Sequence, residues 1–260
     1  MNQAIEQRCR AGEKLTAAEI DELATVDLLT LGMLADEVRR ARVGDTVTYV
    51  RDAETRLTAL PATVDETIAA IRNAGSNVVG FSLADIVDRN WGSLAGVLEQ
   101  LKDAGLTAIA EAPIDRIADM TAALQAAQDA GLPVLCLSLQ KPWTGSRTDY
   151  VLKVRSIVEA FPSIQTVAPL PREQSIAVPT TGYDDVRAVA LTRLALPMIR
   201  NVQVDWSQYG PKLAQVALTF GANDLDRVST VDDESLGRRR TPVEDVRRNV
   251  AAAGFTAVER

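Results

Sequence analysis

Two stretches decide the fold: Asp103-Ala-Gly-Leu-Thr-Ala-Ile-Ala-Glu111 and Asp129-Ala-Gly-Leu-Pro-Val-Leu-Cys-Leu-Ser-Leu139. Each sets a glycine suited to end a helix directly before a nearly continuous apolar run. Continuous rather than alternating apolarity is the pattern of a parallel strand covered on both faces. The same rhythm predicts strands at Thr46–Val50, Asn77–Phe81, Thr107–Glu111, Pro133–Leu139, Ile164–Ala168 and Val202–Asp205. Helical patterns fall between them at 65–74, 93–104, 115–130, 148–160 and 184–197. Strand–helix alternation implies right-handed βαβ units, and here a partial (β/α) TIM-like barrel of about six parallel strands.

Capping boxes are legible at Thr16-Ala-Ala-Glu19, Thr63-Val-Asp-Glu66 and Thr241-Pro-Val-Glu244, and Gly75, Gly105, Gly131 and Gly254 stand where helices should stop. Residues 1–43 read as two N-terminal helices and 44–206 as the βα units. Residues 207–260 read as a C-terminal helical cap, with a helix start at Gly210-Pro211, a polar turn over 221–237 and a last helix near 241–253. No linker divides the 260 residues, so a single domain is expected.

The net charge of −7 argues against general binding to nucleic acid or an anionic membrane, and aromatic residues total only 4%. No secretory leader or membrane-length apolar run is read, so the expected setting is cytoplasmic. The chain has no histidine, which removes histidine bases, Ser-His-Asp triads and histidine-ligated metals. It has two cysteines, Cys9 and Cys136, and Cys136 inside a strand reads as a buried, inert thiol. No Gly-x-Gly-x-x-Gly, Walker loop or Gly-x-Ser-x-Gly elbow occurs.

In such a barrel, groups just beyond the C-terminal ends of the strands face the site. They are Arg51 and Asp52, Ser82 and Asp85, Glu111 and Asp115, Gln140, Lys141 and Trp143, Arg172, and Asp205 and Trp206. Carboxylates beside Lys and Arg suit acid–base work or the binding of a polar ligand; a solvated rim is the plainer alternative. Lys141, Glu111 and Asp205 are the candidate catalytic residues; Arg51, Ser82, Arg172, Trp206, Asn223 and Asp224 are the candidate ligand-binding ones. A lysine at a strand end can form a Schiff base. Against that reading, Pro142 follows it and Trp143–Thr148 reads as an exposed loop. The acidic stretch holding Asn223, Asp224, Asp226, Asp232, Asp233 and Glu234 could offer oxygens to a hard cation, but it reads better as turn chemistry, and no metal is expected. Arg238-Arg-Arg240 reads as solvated.

Longer motifs carry a family resemblance. They are Asp27-Leu-Leu-Thr-Leu-Gly-Met-Leu-Ala-Asp-Glu-Val-Arg39 with Gly44-Asp45, then Asn201-Val-Gln-Val-Asp-Trp206, and Gly210-Pro-Lys-Leu-Ala-Gln-Val-Ala-Leu-Thr-Phe-Gly-Ala-Asn-Asp-Leu-Asp226. The tail Ala253-Gly-Phe-Thr-Ala-Val-Glu-Arg260 agrees, and Gly80-Phe-Ser-Leu-Ala-Asp-Ile86 matches more loosely. Together they resemble the radical-SAM aminofutalosine synthase and dehypoxanthine futalosine cyclase family of menaquinone synthesis, with the deazaflavin cofactor synthases more distant. The resemblance implies a radical-SAM barrel in which Asp205, Trp206, Asn223 and Asp224 fall on the closing motifs.

It also implies a Cys-x₃-Cys-x₂-Cys loop for a [4Fe–4S] cluster after the first strand. Here that place reads Val50-Arg-Asp-Ala-Glu-Thr-Arg-Leu-Thr-Ala-Leu60, without cysteine, and about one βα unit reads as missing. The expectation is therefore a cluster-less relative with no S-adenosylmethionine chemistry. Two functions compete. One is a non-radical enzyme, a lyase or isomerase using carboxylate and lysine groups, or a binder of a polar small molecule. The other is an inactive pseudoenzyme, forming a homo-oligomer or serving as partner subunit to a true radical-SAM paralogue.

Overall fold

The computed structural model describes residues 2–51, 55–173, 180–231 and 242–260. Three helices, α1 (Gln3–Ala11), α2 (Ala17–Thr25) and α3 (Leu28–Val43), precede the first strand, β1 (Thr46–Arg51). There follow β2 (Arg56–Leu57), α4 (Val64–Ala74), β3 (Val78–Ser82), α5 (Leu83–Arg89), α6 (Leu94–Asp103), β4 (Leu106–Pro113) and α7 (Met120–Asp129). The second half runs β5 (Leu137–Leu139), α8 (Arg147–Ala160), β6 (Thr166–Pro171), α9 (Gly182–Ala195), β7 (Asn201–Asp205), α10 (Trp206–Leu218), β8 (Asp224–Val228), α11 (Pro242–Ala252) and β9 (Thr256–Glu259).

All strand pairs are parallel, and the sheet order is β2-β3-β4-β5-β6-β7-β8-β1-β9. The sheet curls: Arg56, on the strand at one end, reaches Asp226 on β8 near the other end at 2.9 Å. The architecture is the expected partial TIM-like barrel, but with nine strands rather than six.

The three additional strands lie where the residues read as loops or cap. β2 is two residues long and stands where a βα unit reads as missing. β9 pairs with β1 from Thr46↔Thr256 to Tyr49↔Glu259. β8 replaces part of the expected 221–237 turn, because Asp224-Leu-Asp-Arg-Val228 is extended and paired on both sides. The helix expected to start at Gly210 begins a turn earlier at Trp206, capped by the Asp205 carboxylate, and kinks at Gly210 before Pro211. Residues 1–43 form three helices rather than two.

Helix ends follow the chemistry of the sequence. The Thr16–Glu19 and Thr63–Glu66 capping boxes both form; Thr241 lies outside the described residues. Valines of β7, Val202 and Val204, face outward into the helical layer and are fully buried. Their neighbours Gln203 and Asp205 consequently point into the barrel, since successive strand residues face opposite sides.

Candidate functional site

The lumen is polar because of that alternation. On β7 the inward pair is Gln203 and Asp205; on β8 it is Asp224 and Asp226, and the register sets Gln203 opposite Asp224 and Asp205 opposite Asp226. Two carboxylates facing each other across neighbouring strands repel at close range. Arg172, directly after β6, resolves this. Its Nη1 donates to Asp205 at 3.2 Å, its Nη2 to Asp226 and Gln203 at 3.3 Å each, and its Nε to Glu111 on β4 at 3.0 Å. The Arg172 side chain is 3% exposed. Burial works against its charge, but Glu111, Asp226 and Asp205 outweigh that and hold the guanidinium above its ordinary value.

Three further arginines complete the neutralisation. Arg56 binds Asp226; Arg227 lies 3.3 Å from Asp205 and 3.6 Å from Glu111; and Arg260, after β9, holds Asp224 in a bidentate pair at 3.0 and 2.8 Å. Gln203 also donates to Asp224 at 2.6 Å, and Thr48 to the same carboxylate at 2.5 Å.

Above the hub opens a cavity of about 350 Å³ lined by Arg56, Phe81, Ser82, Glu111, Asp226 and Arg227, among others. Phe81 and Arg227 carry positive φ values of 61° and 56°. For bulky side chains this is strained backbone, of the kind held in place at binding and active sites. The Ser82 hydroxyl is buried without a hydrogen-bond partner. The wall thus offers both donors and acceptors, with one hydroxyl lacking a partner.

Among the expected site residues, Glu111, Arg172 and Asp205 converge, Asp224 joins them through Gln203, and Ser82 lines the cavity. Lys141 is exposed on the loop after β5, where its backbone N–H donates to Asp115 at 2.9 Å, and it does not line this cavity. Arg51 donates to the carbonyl of Thr230, and Trp206 is half-buried at the start of α10. Asn223 sits at the opposite, N-terminal end of β8. There its carboxamide oxygen accepts from Arg193 and from the Val202 backbone N–H. Arg193 and Arg39 are buried at that end, and desolvation lowers them to about 9 and about 10. Asp52, Asp232, Asp233, Glu234 and Arg238–Arg240 lie outside the described residues. Arg56, Gln203, Asp226, Arg227 and Arg260 belong to the site without having been assigned to it from the sequence. The signal for Asp226 was the polar–apolar alternation Asp224-Leu-Asp226.

The residues do not fit a three-thiolate cluster. Cys9 is buried in α1 and Cys136 in the lumen, where its thiol contacts Gln203 at 3.5 Å. Burial pushes the Cys9 thiol up to about 11 and raises Cys136 further. Among the described residues no cluster of carboxylates and thiols could hold a metal ion. No helix among them is long and apolar enough to cross a membrane.

The same architecture recurs in solved structures of low sequence identity. It superposes on methylornithine synthase (PylB) with a TM-score of 0.64 at 14% identity, over 98% of this chain and 97% of that one. For the hydrogenase maturase HydG from Carboxydothermus hydrogenoformans the TM-score is 0.66 at 13% identity, over 98% and 78%. Residues 157–258 match the CofH/MqnC C-terminal region. Those residues are similar to that region and make up less than half of the chain.

It is 27% identical over 199 residues to the 5-amino-6-(D-ribitylamino)uracil–L-tyrosine 4-hydroxyphenyl transferase of Archaeoglobus fulgidus, covering 73% of this chain and 57% of the relative. A second such transferase, from Methanosarcina barkeri, is 33% identical over 132 residues, covering 44% and 34%. The chain therefore spans roughly a third to just over half the length of these curated relatives.

Proposed function

We propose that this chain is a binding barrel that assembles no [4Fe–4S] cluster of its own and holds a neutral, polyhydroxylated or ureido-type small molecule at its mouth. The observation that carries the reading is the Arg172 hub, which draws carboxylates from β4, β7 and β8 under a polar cavity with an unpartnered Ser82 hydroxyl. A net anion would meet Glu111 and Asp226, and a net cation Arg56, Arg172 and Arg227. A ligand with both donors and acceptors replaces water at each wall. The transferase relatives are named for a ribitylaminouracil, whose polyol and ureido groups have this character. That favours a deazaflavin-type substrate class over a nucleoside of the futalosine route. Carboxylates tied to arginines orient such a ligand; with Lys141 outside the cavity, Schiff-base chemistry has no amine here.

The test is titration of the full chain with 5-amino-6-(D-ribitylamino)uracil by calorimetry, beside anaerobic reconstitution with iron and sulfide. Saturable binding is expected, weakened about tenfold or more in Arg227→Gln, since a hydrogen bond to a charged group contributes ~1.5–3 kcal/mol. No iron–sulfur absorption should develop. Stoichiometric cluster uptake, or no binding at millimolar ligand, would overturn the reading.

A second reading, a partner subunit of a cluster-bearing homologue, draws on Leu29 and Met33. They stand one helical turn apart on α3 and are 71% and 75% exposed. Light scattering of the chain alone and mixed with such a homologue separates the two readings.

A further inference from the structure

A second cavity, of about 600 Å³, lies on the other side of the sheet from the mouth. Leu139 and Pro171 line it, whereas the next residues, Gln140 and Arg172, line the mouth cavity, so the ends of β5 and β6 are the wall between them. It is closed on its outer side by α2, the first turns of α8, and α9. Its volume falls within the range of small-molecule sites.

The chemistry of this cavity differs from that of the mouth. Its floor and sides are apolar, with Leu170, Val151 and Ala188. Trp143 and Tyr150 meet edge to face at a centroid distance of 5.8 Å and give it an aromatic flank. Two polar groups there lack the partner their burial calls for. The Trp143 Nε1–H is buried with no acceptor. Asp185, in the first turn of α9, is 6% exposed; the Thr180 side chain hydrogen-bonds its carboxyl, but among the described residues no cation pairs with it. Arg147, the cation nearest in the lining, is taken by Asp184 at 2.6 Å. Asp21, also in the lining, accepts from Thr148 at 2.5 Å. The polar end is therefore acidic in excess.

We infer that this cavity binds a small organic amine, with an aromatic body against Trp143 and Tyr150, the ammonium on Asp185, and an acceptor group on the Trp143 Nε1–H. A buried carboxylate without a cation is costly, and a bound ammonium supplies what the protein omits. The direction in which burial moves Asp185, upward from the ordinary carboxyl value, agrees with an unfilled cation position. This inference is independent of the reading of the mouth.

The experiment uses the full chain and a matched pair of probes, tryptamine and indole-3-acetate, which share a ring and differ in charge. Calorimetric titration should show saturable tryptamine binding at least tenfold tighter than indole-3-acetate. Asp185→Asn, nearly isosteric, should weaken tryptamine at least tenfold and leave indole-3-acetate unchanged or tighter. Ala188→Phe fills the cavity and should abolish both while leaving the melting temperature unchanged or raised, which covers the case of an Asp185→Asn protein that does not fold. Arg227→Gln at the mouth should leave tryptamine binding intact. Equal binding of the two probes, no tryptamine binding at millimolar concentration, or full binding by Ala188→Phe would overturn the inference.

Discussion

Replacing Arg172 with methionine puts the hub to a quantitative test. The substitution keeps an unbranched side chain but leaves Glu111, Asp205 and Asp226 facing one another in the lumen. Removing one partner of a buried ion pair costs about 3–5 kcal/mol, chiefly because the remaining charge stays buried and uncompensated. Arg56 still serves Asp226, and Arg227 still approaches Glu111 and Asp205. The lower end, about 3 kcal/mol, is therefore the expectation, and for a chain of this size it corresponds to a fall in Tm of roughly 6–12 °C. Urea titrations of the two proteins measure it, and the double variant Arg172→Met/Asp205→Asn should recover part of the loss. A loss under about 1 kcal/mol, typical of an exposed ion pair, would refute the picture of a desolvated hub.

Two further predictions concern packing and thiols. Gly32→Ala in α3 gains up to ~1 kcal/mol of helix propensity, but a Cβ there would stand 2.6–2.9 Å from the Phe220 ring. The clash should win, with a net loss of about 1–3 kcal/mol in the urea midpoint analysis; a stabilised variant would show the contact to be soft. Ellman's reagent at pH 8 should label neither Cys9 nor Cys136 in the native chain and both after guanidinium unfolding, because burial raises both thiols well above that pH. Rapid native labelling of Cys136 would mean that the lumen is open.

The βα rhythm was legible because each strand's apolar run and each helix's cap are local signals. Six strands and the acid–base partners Glu111, Arg172 and Asp205 followed from it. What escaped was decided by partners distant in sequence. Asn223-Asp-Leu-Asp-Arg-Val228 has the turn formers Asn and Asp, and it becomes a strand only because β7 and β1 flank it. Its alternation marks one polar face, which is unusual for a parallel strand but natural for one whose inner face lines a charged lumen. Lys141 looked reactive by its place after a strand. The turn that Asp115 pins through the Gln140 and Lys141 backbone N–H groups leaves the lysine side chain exposed, not in the mouth. The Arg56 and Arg260 pairings join residues 170 and 36 positions away, and no local reading reaches them.

The place of β1 between β8 and β9 has a consequence for biosynthesis. Its edges are closed by Asn223 and Thr256 backbone contacts, and Tyr49 meets Glu259 across 210 positions of sequence. A nascent chain emerges at ~5–20 residues per second, so β1 leaves the ribosome many seconds before either neighbour exists. Throughout that interval it is an unpaired, apolar edge of the kind that seeks other strands. Sheet completion is thereby tied to the emergence of residue 259, and the steps before it are the period in which this chain is most exposed to misassembly and most dependent on chaperones.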